Sequence, residues 1–191
     1  MKEKIIHAID ENRGEIIRCG EYVLSNPELG YKEFKTSQFV KTEFKKLSIP
    51  YTDGLAVTGA KGCISSGRPG PNVCIIGEMD AIRCYGHKYA DRDTGAAHAC
   101  GHNAQIASML GAAYGFVKSG AIDSIKGKLT FFAVPAVEFA ELEYRSTLKA
   151  EGKIKHFGGK QELISIGAFN DVDFAMMIHS QAGVTAPEVF L

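Results

Sequence analysis

Four short segments of the chain carry residues that can bind a metal ion or move a proton. The run His98-Ala99-Cys100-Gly101-His102-Asn103 sets a thiol and an imidazole on either side of a glycine. Gly101 permits a tight turn, so Cys100 and His102 can reach one ion, and thiolate with imidazole is a borderline-soft pair suited to zinc or a similar divalent metal. The apolar run 73–76 leads into Gly77-Glu78-Met79-Asp80, the run 129–134 leads into Pro135-Ala136-Val137-Glu138, and the run 174–178 ends on His179. Read as three buried strands, each delivers a carboxylate or an imidazole at its end. With Glu138 and His179 the candidate set becomes Cys100, His102, Glu138 and His179. Those are donors of a hydrolytic metal site, in which bound water loses its proton near neutral pH and attacks a polarised carbonyl. Each feature alone also has a plainer reading. A Cys-x-His pair, a strand-end histidine and a helix-capping glutamate all occur without a metal.

The elements that must position these residues are legible as hydrophobic periodicity. Ile5, Ile6, Ile9, Ile16 and Ile17 predict a surface helix over 2–24, weakened by Gly14 and Gly20. Asn26-Pro27-Glu28-Leu29-Gly30 is a turn cluster, and Phe39, Val40, Phe44 and Leu47 predict a second helix over 36–47. Short glycine-broken segments follow over 57–66, then a loop at Arg68-Pro69-Gly70-Pro71. A glycine- and charge-rich loop spans 83–95. Ile106, Met109, Leu110, Ala113 and Val117 share one face of a predicted helix over 102–117. The stretch 138–159 is polar, charged and punctuated by glycine. Continuously apolar strands alternating with amphipathic helices indicate an α/β fold, with helices on both faces of a mostly parallel sheet. Ligands of such folds bind beyond the carboxyl ends of the strands, where the candidate residues lie.

Composition narrows the choice of partner. The 191 residues are 45% hydrophobic and 23% charged, with 22 basic residues against 22 acidic ones, so the formal net charge is zero. This suits one soluble domain with its own core. Without a basic block there is no footprint for nucleic acid or an anionic membrane, which leaves small molecules as the expected partners. No apolar run approaches the roughly 20 residues that span a bilayer. The start, Met1-Lys2-Glu3-Lys4-Ile5-Ile6-His7, lacks the apolar core and cleavage site of a secretory leader, so a cytoplasmic location is expected. Five cysteines at 19, 63, 74, 84 and 100 are an odd number without framework spacing, which favours free thiols with metal binding open to some, and Cys84 is expected to be structural. His7, His87 and His156 are expected as ordinary surface residues.

Several motifs resemble successive signatures of the M20 metallopeptidases. They are Asn26-Pro27-Glu28-Leu29-Gly30-Tyr31-Lys32-Glu33-Phe34, Gly77-Glu78-Met79-Asp80-Ala81-Ile82, the Cys100-Gly101-His102 element with its flanks and following helix, and Phe132-Ala133-Val134-Pro135-Ala136-Val137-Glu138. The branch resembled is that of amidohydrolases acting on N-acyl amino acids, aminobenzoyl-glutamate and auxin conjugates. The resemblance implies a three-layer α/β/α, zinc-peptidase-like catalytic domain with a mixed sheet, and two divalent ions, zinc or manganese. It carries metal-ligand roles onto Cys100, His102, Glu138 and His179, and onto Asp80 the role of an active-site aspartate that orients a ligand. Glu78 stands where other branches place a metal-binding histidine and is left out of the ligand set, as is His98.

Two departures from the family pattern bear on activity. Val137 occupies the place of the glutamate that acts as general base, and valine accepts no proton. General-base catalysis typically contributes a factor of about 10²–10⁴, so Glu141 or Glu143 would have to reach back to replace it. The family is also about twice as long. The resemblance therefore implies that 1–191 is the N-terminal part of the catalytic domain, without the lid that dimerises or the last metal-binding histidine, and the apolar end Ala186-Pro187-Glu188-Val189-Phe190-Leu191 resembles an interrupted chain. Three functions remain open at this point. They are metal-dependent hydrolysis of amide bonds in small N-acyl or aminoacyl compounds, impaired in this chain; a non-catalytic metal- or ligand-binding remnant; and a thiol hydrolase with Cys100 as nucleophile.

Overall fold

The computed structural model describes residues 1–180; the apolar run 186–191 lies outside the described residues. The periodic N-terminal stretch forms two helices, α1 (Lys2–Glu11) and α2 (Arg13–Ser25), where one was expected. They part at Asn12, whose side-chain amide donates to the Ala8 carbonyl at 2.7 Å and competes with the helical ladder. Helix α3 (Phe34–Lys46) precedes a hairpin of β1 (Tyr51–Leu55) and β2 (Gly59–Ser65), the region whose glycines masked its strands. Then come β3 (Asn72–Glu78), a small two-stranded sheet of β4 (Ile82–Arg83) with β5 (Ala96–Ala97), and α4 (His102–Ser119). The chain continues through β6 (Lys128–Val134), α5 (Leu142–Ala150), α6 (Gly159–Ser165) and β7 (Phe174–Met177). Helices α5 and α6 correct the expectation of a polar connection over 138–159. The buried residues of α5 are Arg145 and Leu148, so its inward face carries a charge and gives no apolar stripe to read.

The main sheet has five strands in the order β1-β2-β6-β3-β7. It is mixed: β3 runs parallel to both β6 and β7, while the β1–β2 hairpin adds on antiparallel to β6. Register places Glu78 beside Val134 and Ile76 beside Met177. Three strands therefore finish at one edge, and the residues just beyond them are brought level.

The alternation of side chains along β6 divides the core into two. Leu129, Phe131 and Ala133 pack with Ile106, Met109 and Leu110 of α4, Phe39, Val40 and Phe44 of α3, and Cys19 and Val23 of α2. Phe132 and Val134 face the other way, against Cys74, Ile76, Leu148 of α5 and Leu163 of α6. Helices thus cover both faces, giving three layers. The run 174–178, expected as buried, lies at the sheet edge instead. Only Met177 packs inward, and Phe174, Met176 and Ile178 are 66%, 55% and 64% exposed.

One buried carboxylate ties the helical layer together. Glu43 of α3 is fully buried and accepts hydrogen bonds from Arg18 of α2 (2.8 Å), Lys46 (2.9 Å) and the Tyr114 hydroxyl of α4 (2.8 Å). Burial alone would raise its pKa, but these donors outweigh burial and hold it below 4.5. A carboxyl depressed in the fold contributes stability above its unfolded pKa and loses it as pH falls through the folded value. Arg18 and Lys46 keep contact with water, so Glu43→Gln is expected to cost about 1–3 kcal/mol at pH 7. In denaturant titrations the gap between variant and wild type should narrow as pH falls below 4.5.

Candidate metal centre

At the shared strand edge, the turn before α4 is made by Gly101 in the left-handed region, φ +88°. A Cβ at this position would lie 2.1 Å from Ser180 Oγ, so the close approach of the two segments requires glycine. His102 opens α4 and is fully buried. Its Nδ1 lies 2.7 Å from the Asp80 carbonyl oxygen. A carbonyl only accepts, so Nδ1 carries a proton and Nε2 is the nitrogen turned toward the cluster. His179 is held in the same way: Nδ1 donates to the Ser180 carbonyl at 2.7 Å, and Nε2 lies 3.4 Å from Cys100 Sγ. Both imidazoles thus present Nε2 to the cluster, their tautomers set by backbone carbonyls. The donor atoms of Cys100, His102 and His179 all lie within 4.8 Å of one another.

Glu138 and Asp80 complete the surroundings. Glu138 Oε1 is 3.6 Å from His102 Nε2, and its side chain is 29% exposed, which leaves the cluster open on that side. Asp80 is fully buried; its Oδ2 accepts the Glu138 backbone N–H at 2.7 Å, and its Oδ1 lies 3.4 Å from His102 Nδ1. The structure therefore brings together all five residues singled out in the sequence: Asp80, Cys100, His102, Glu138 and His179. It also adds Glu78, which was left out. The buried Glu78 carboxylate has Oε2 3.0 Å from His102 Nε2 and receives the Lys160 ammonium on Oε1. Burial favours its neutral form, but the bonds from His102 and Lys160 prevail and hold it at about 2. Burial likewise opposes a charged His102, yet Asp80 and Glu78 push that imidazole up to about 10 in the metal-free chain.

The loop that carries Glu138 rests on two buried ionisable side chains that sequence reasoning missed. Ala136 sits at φ +53°, an unfavourable conformation for a residue with a Cβ. Its N–H donates to Glu33 Oε1 at 2.8 Å, while Glu33 Oε2 accepts from the Thr58 hydroxyl at 2.6 Å. The guanidinium of Arg145, also buried, donates to the carbonyls of Ala136, Phe157 and Glu138. Glu33 lies within a motif already quoted, whereas nothing local distinguishes Arg145 in a stretch rich in charge.

Other candidates fall outside the cluster. Glu141 is bound by Arg83 at 3.0 Å and Lys32 at 2.7 Å, and Glu143 is exposed in the first turn of α5. Neither is held at the place Val137 vacates as a base. Cys100 opposes the thiol-nucleophile reading. Burial and the neighbouring Glu138 push its pKa up to about 11, whereas a nucleophilic cysteine needs it lowered. His98 is buried, neither ring nitrogen has a hydrogen-bond partner among the described residues, and burial pushes its pKa down to about 4.

An α/β sheet whose strand ends gather thiol, imidazole and carboxylate donors has the donor types that hold a divalent metal ion. No protein-family model matches the chain. It is 32% identical over 181 residues to thermostable carboxypeptidase 2 of Saccharolobus solfataricus, covering 93% of this chain and 42% of that protein. It is 27% identical over 181 residues to the N-acyl-L-amino acid amidohydrolase of Geobacillus stearothermophilus, covering 93% and 44%. In fold it is similar to a dinuclear metal-binding peptidase of the M20 family from Bacillus subtilis, with a TM-score of 0.72 at 22% identity over 91% of this chain and 44% of the other. By sequence the chain is thus similar to a carboxypeptidase and an amidohydrolase, and its fold is similar to that of a peptidase of the M20 family. It spans about two fifths of the length of the curated relatives it matches.

Two outcomes follow from this geometry. Gly101→Ala is expected to lower stability by about 1–2 kcal/mol, from the left-handed backbone alone, measurable by chemical denaturation. The collision with Ser180 should separate Cys100 from His179 as well. Glu33 behaves oppositely to Glu43: burial and the nearby Asp80 raise it from 4.5 to about 8. Its contribution to stability is full below pH 4.5 and lost as pH rises toward 8. Between those limits Glu33→Gln should lose less stability than wild type as pH increases. Parallel unfolding curves for the two proteins over that range would show that Glu33 does not titrate there.

Proposed function

We propose that the protein is the N-terminal portion of a metal-dependent hydrolase that cleaves amide bonds in small N-acyl amino acids or dipeptide-like compounds. The observation that carries this reading is the convergence of the Cys100, His102 and His179 donor atoms within 4.8 Å, beside Glu138. The donor set fits divalent zinc or manganese, two ions in a complete centre, with Cys100, His102, Glu138 and His179 as the holding residues. When bound, the ions supply Lewis acidity toward the substrate carbonyl and an acidified water. Asp80 keeps His102 Nε2 directed at the centre and fixes the Glu138 backbone by its other oxygen. The reading carries with it a cytoplasmic location and a small-molecule substrate. It also assigns lid and dimer contacts to the length of the relatives that this chain does not span.

A second reading, a metal-binding chain without catalysis, is favoured by one observation. Val137 stands at the base position, and Glu141 is engaged by Arg83 and Lys32. Loss of a general base typically removes a factor of about 10²–10⁴. Calorimetric titration with zinc, paired with hydrolysis of an N-acetyl amino acid, separates the two readings. Zinc uptake with weak but chelator-sensitive turnover supports the hydrolase, and uptake without turnover supports the binding chain. A chain that takes up no zinc contradicts both.

A further inference from the structure

We propose that Glu78 is a further ligand of this centre, sharing with His102 Nε2 and Glu138 Oε1 one ion that is distinct from the ion at Cys100 and His179. The inference rests on the metal reading above and concerns a residue that was left out of the ligand set read from the sequence.

With Nδ1 donating to the Asp80 carbonyl, His102 turns Nε2 toward the cluster. It meets Glu78 Oε2 at 3.0 Å and Glu138 Oε1 at 3.6 Å. In the metal-free chain a proton on Nε2 lies between these atoms, and an ion would take its place among the same three ligand atoms. Zinc bonds nitrogen and oxygen at about 2.0–2.1 Å, so a tetrahedral angle sets two ligand atoms roughly 3.3 Å apart. The two observed separations bracket that value. The same geometry, with a zinc–sulfur bond of about 2.3 Å, gives roughly 3.6 Å for a thiolate and an imidazole, close to the 3.4 Å between Cys100 and His179.

Charge and rigidity agree with the distances. Glu78, Asp80 and Glu138 bring three negative charges to His102, and Lys160 returns one positive charge at Glu78 Oε1. The Glu78 carboxylate is also held in place before any ion arrives. Gln105 of α4 donates to Oε2 at 2.9 Å and accepts the Glu78 backbone N–H at 3.3 Å, while Lys160 fixes the other oxygen. Ligands oriented in this way by their neighbours are preorganised for metal. The competing occupant is a proton on His102 Nε2, which an entering ion would displace.

Titration of the 191-residue chain with cobalt(II) tests the assignment. It is followed by calorimetry and by the thiolate-to-cobalt charge-transfer absorbance that reports the ion at Cys100. Glu78→Gln should weaken the ion that leaves this absorbance unchanged by at least about tenfold, with the absorbance itself retained as evidence that the fold and the Cys100–His179 pair persist. Glu78→Asp keeps the charge facing Lys160 but withdraws the carboxylate by one methylene; it should show the same selective loss and carries the test if the glutamine variant does not fold. Both variants taking up two ions at wild-type affinity would overturn the role of Glu78 alone. A wild-type chain that takes up no cobalt would overturn the metal reading, and this inference with it.

Discussion

Asp80 joins three separate segments through two hydrogen bonds of 2.7 Å. Its carbonyl accepts from His102 at the start of α4, and its carboxylate accepts the backbone N–H of Glu138 beyond β6. The residue itself follows the end of β3 and is fully buried. Its Oδ2 is therefore met by a protein donor, the Glu138 N–H, at a position away from water, where a polar group without such a donor would be costly. Because one bond uses main chain and the other side chain, His102 and Glu138 are indexed to the same point in the sheet. The parallel pairing of β3 with β6 and β7 makes this feasible by bringing the three strand ends level.

Around this tie lies a shell of buried charge that holds the loop rather than the ligands. Ala136 is kept in a left-handed conformation, and Glu33 and Arg145 grip it from its N–H and carbonyl sides. A non-glycine residue in this region costs on the order of 1–3 kcal/mol and persists only where its surroundings over-determine it. The strain sits two residues before Glu138. Its effect is to turn the chain sharply out of β6, so that Glu138 faces His102 instead of continuing along the strand.

Sequence alone made the scaffold legible where burial is continuous or strictly periodic. The strands β3 and β6 read as unbroken apolar runs, and α4 showed an apolar face at helical spacing. The hairpin of β1 and β2 did not, since Gly54, Gly59 and Gly62 interrupt its pattern. Helix α5 escaped because it buries an arginine. Of the cluster, Cys100, His102, Glu138 and His179 stood out because each follows an apolar strand or opens the apolar helix α4, and ligands of α/β folds collect there. Asp80 came through motif resemblance. Arg145 bonds carbonyls only 7 to 12 residues away but is hidden in a stretch rich in charge, whereas Glu33 and Lys160 act over long sequence separations. Glu33 reaches Ala136 across 103 residues and Lys160 reaches Glu78 across 82, which no local pattern can signal.

The account stands on an ion occupying the space between the strand ends. Anomalous diffraction at the zinc absorption edge, from crystals of the chain grown with zinc, measures this directly. The predicted result is a peak within bonding distance of Cys100 Sγ or of the Nε2 atoms of His102 and His179. Zinc found only at exposed side chains, with His102 Nε2 still bonded directly to Glu78, would contradict it.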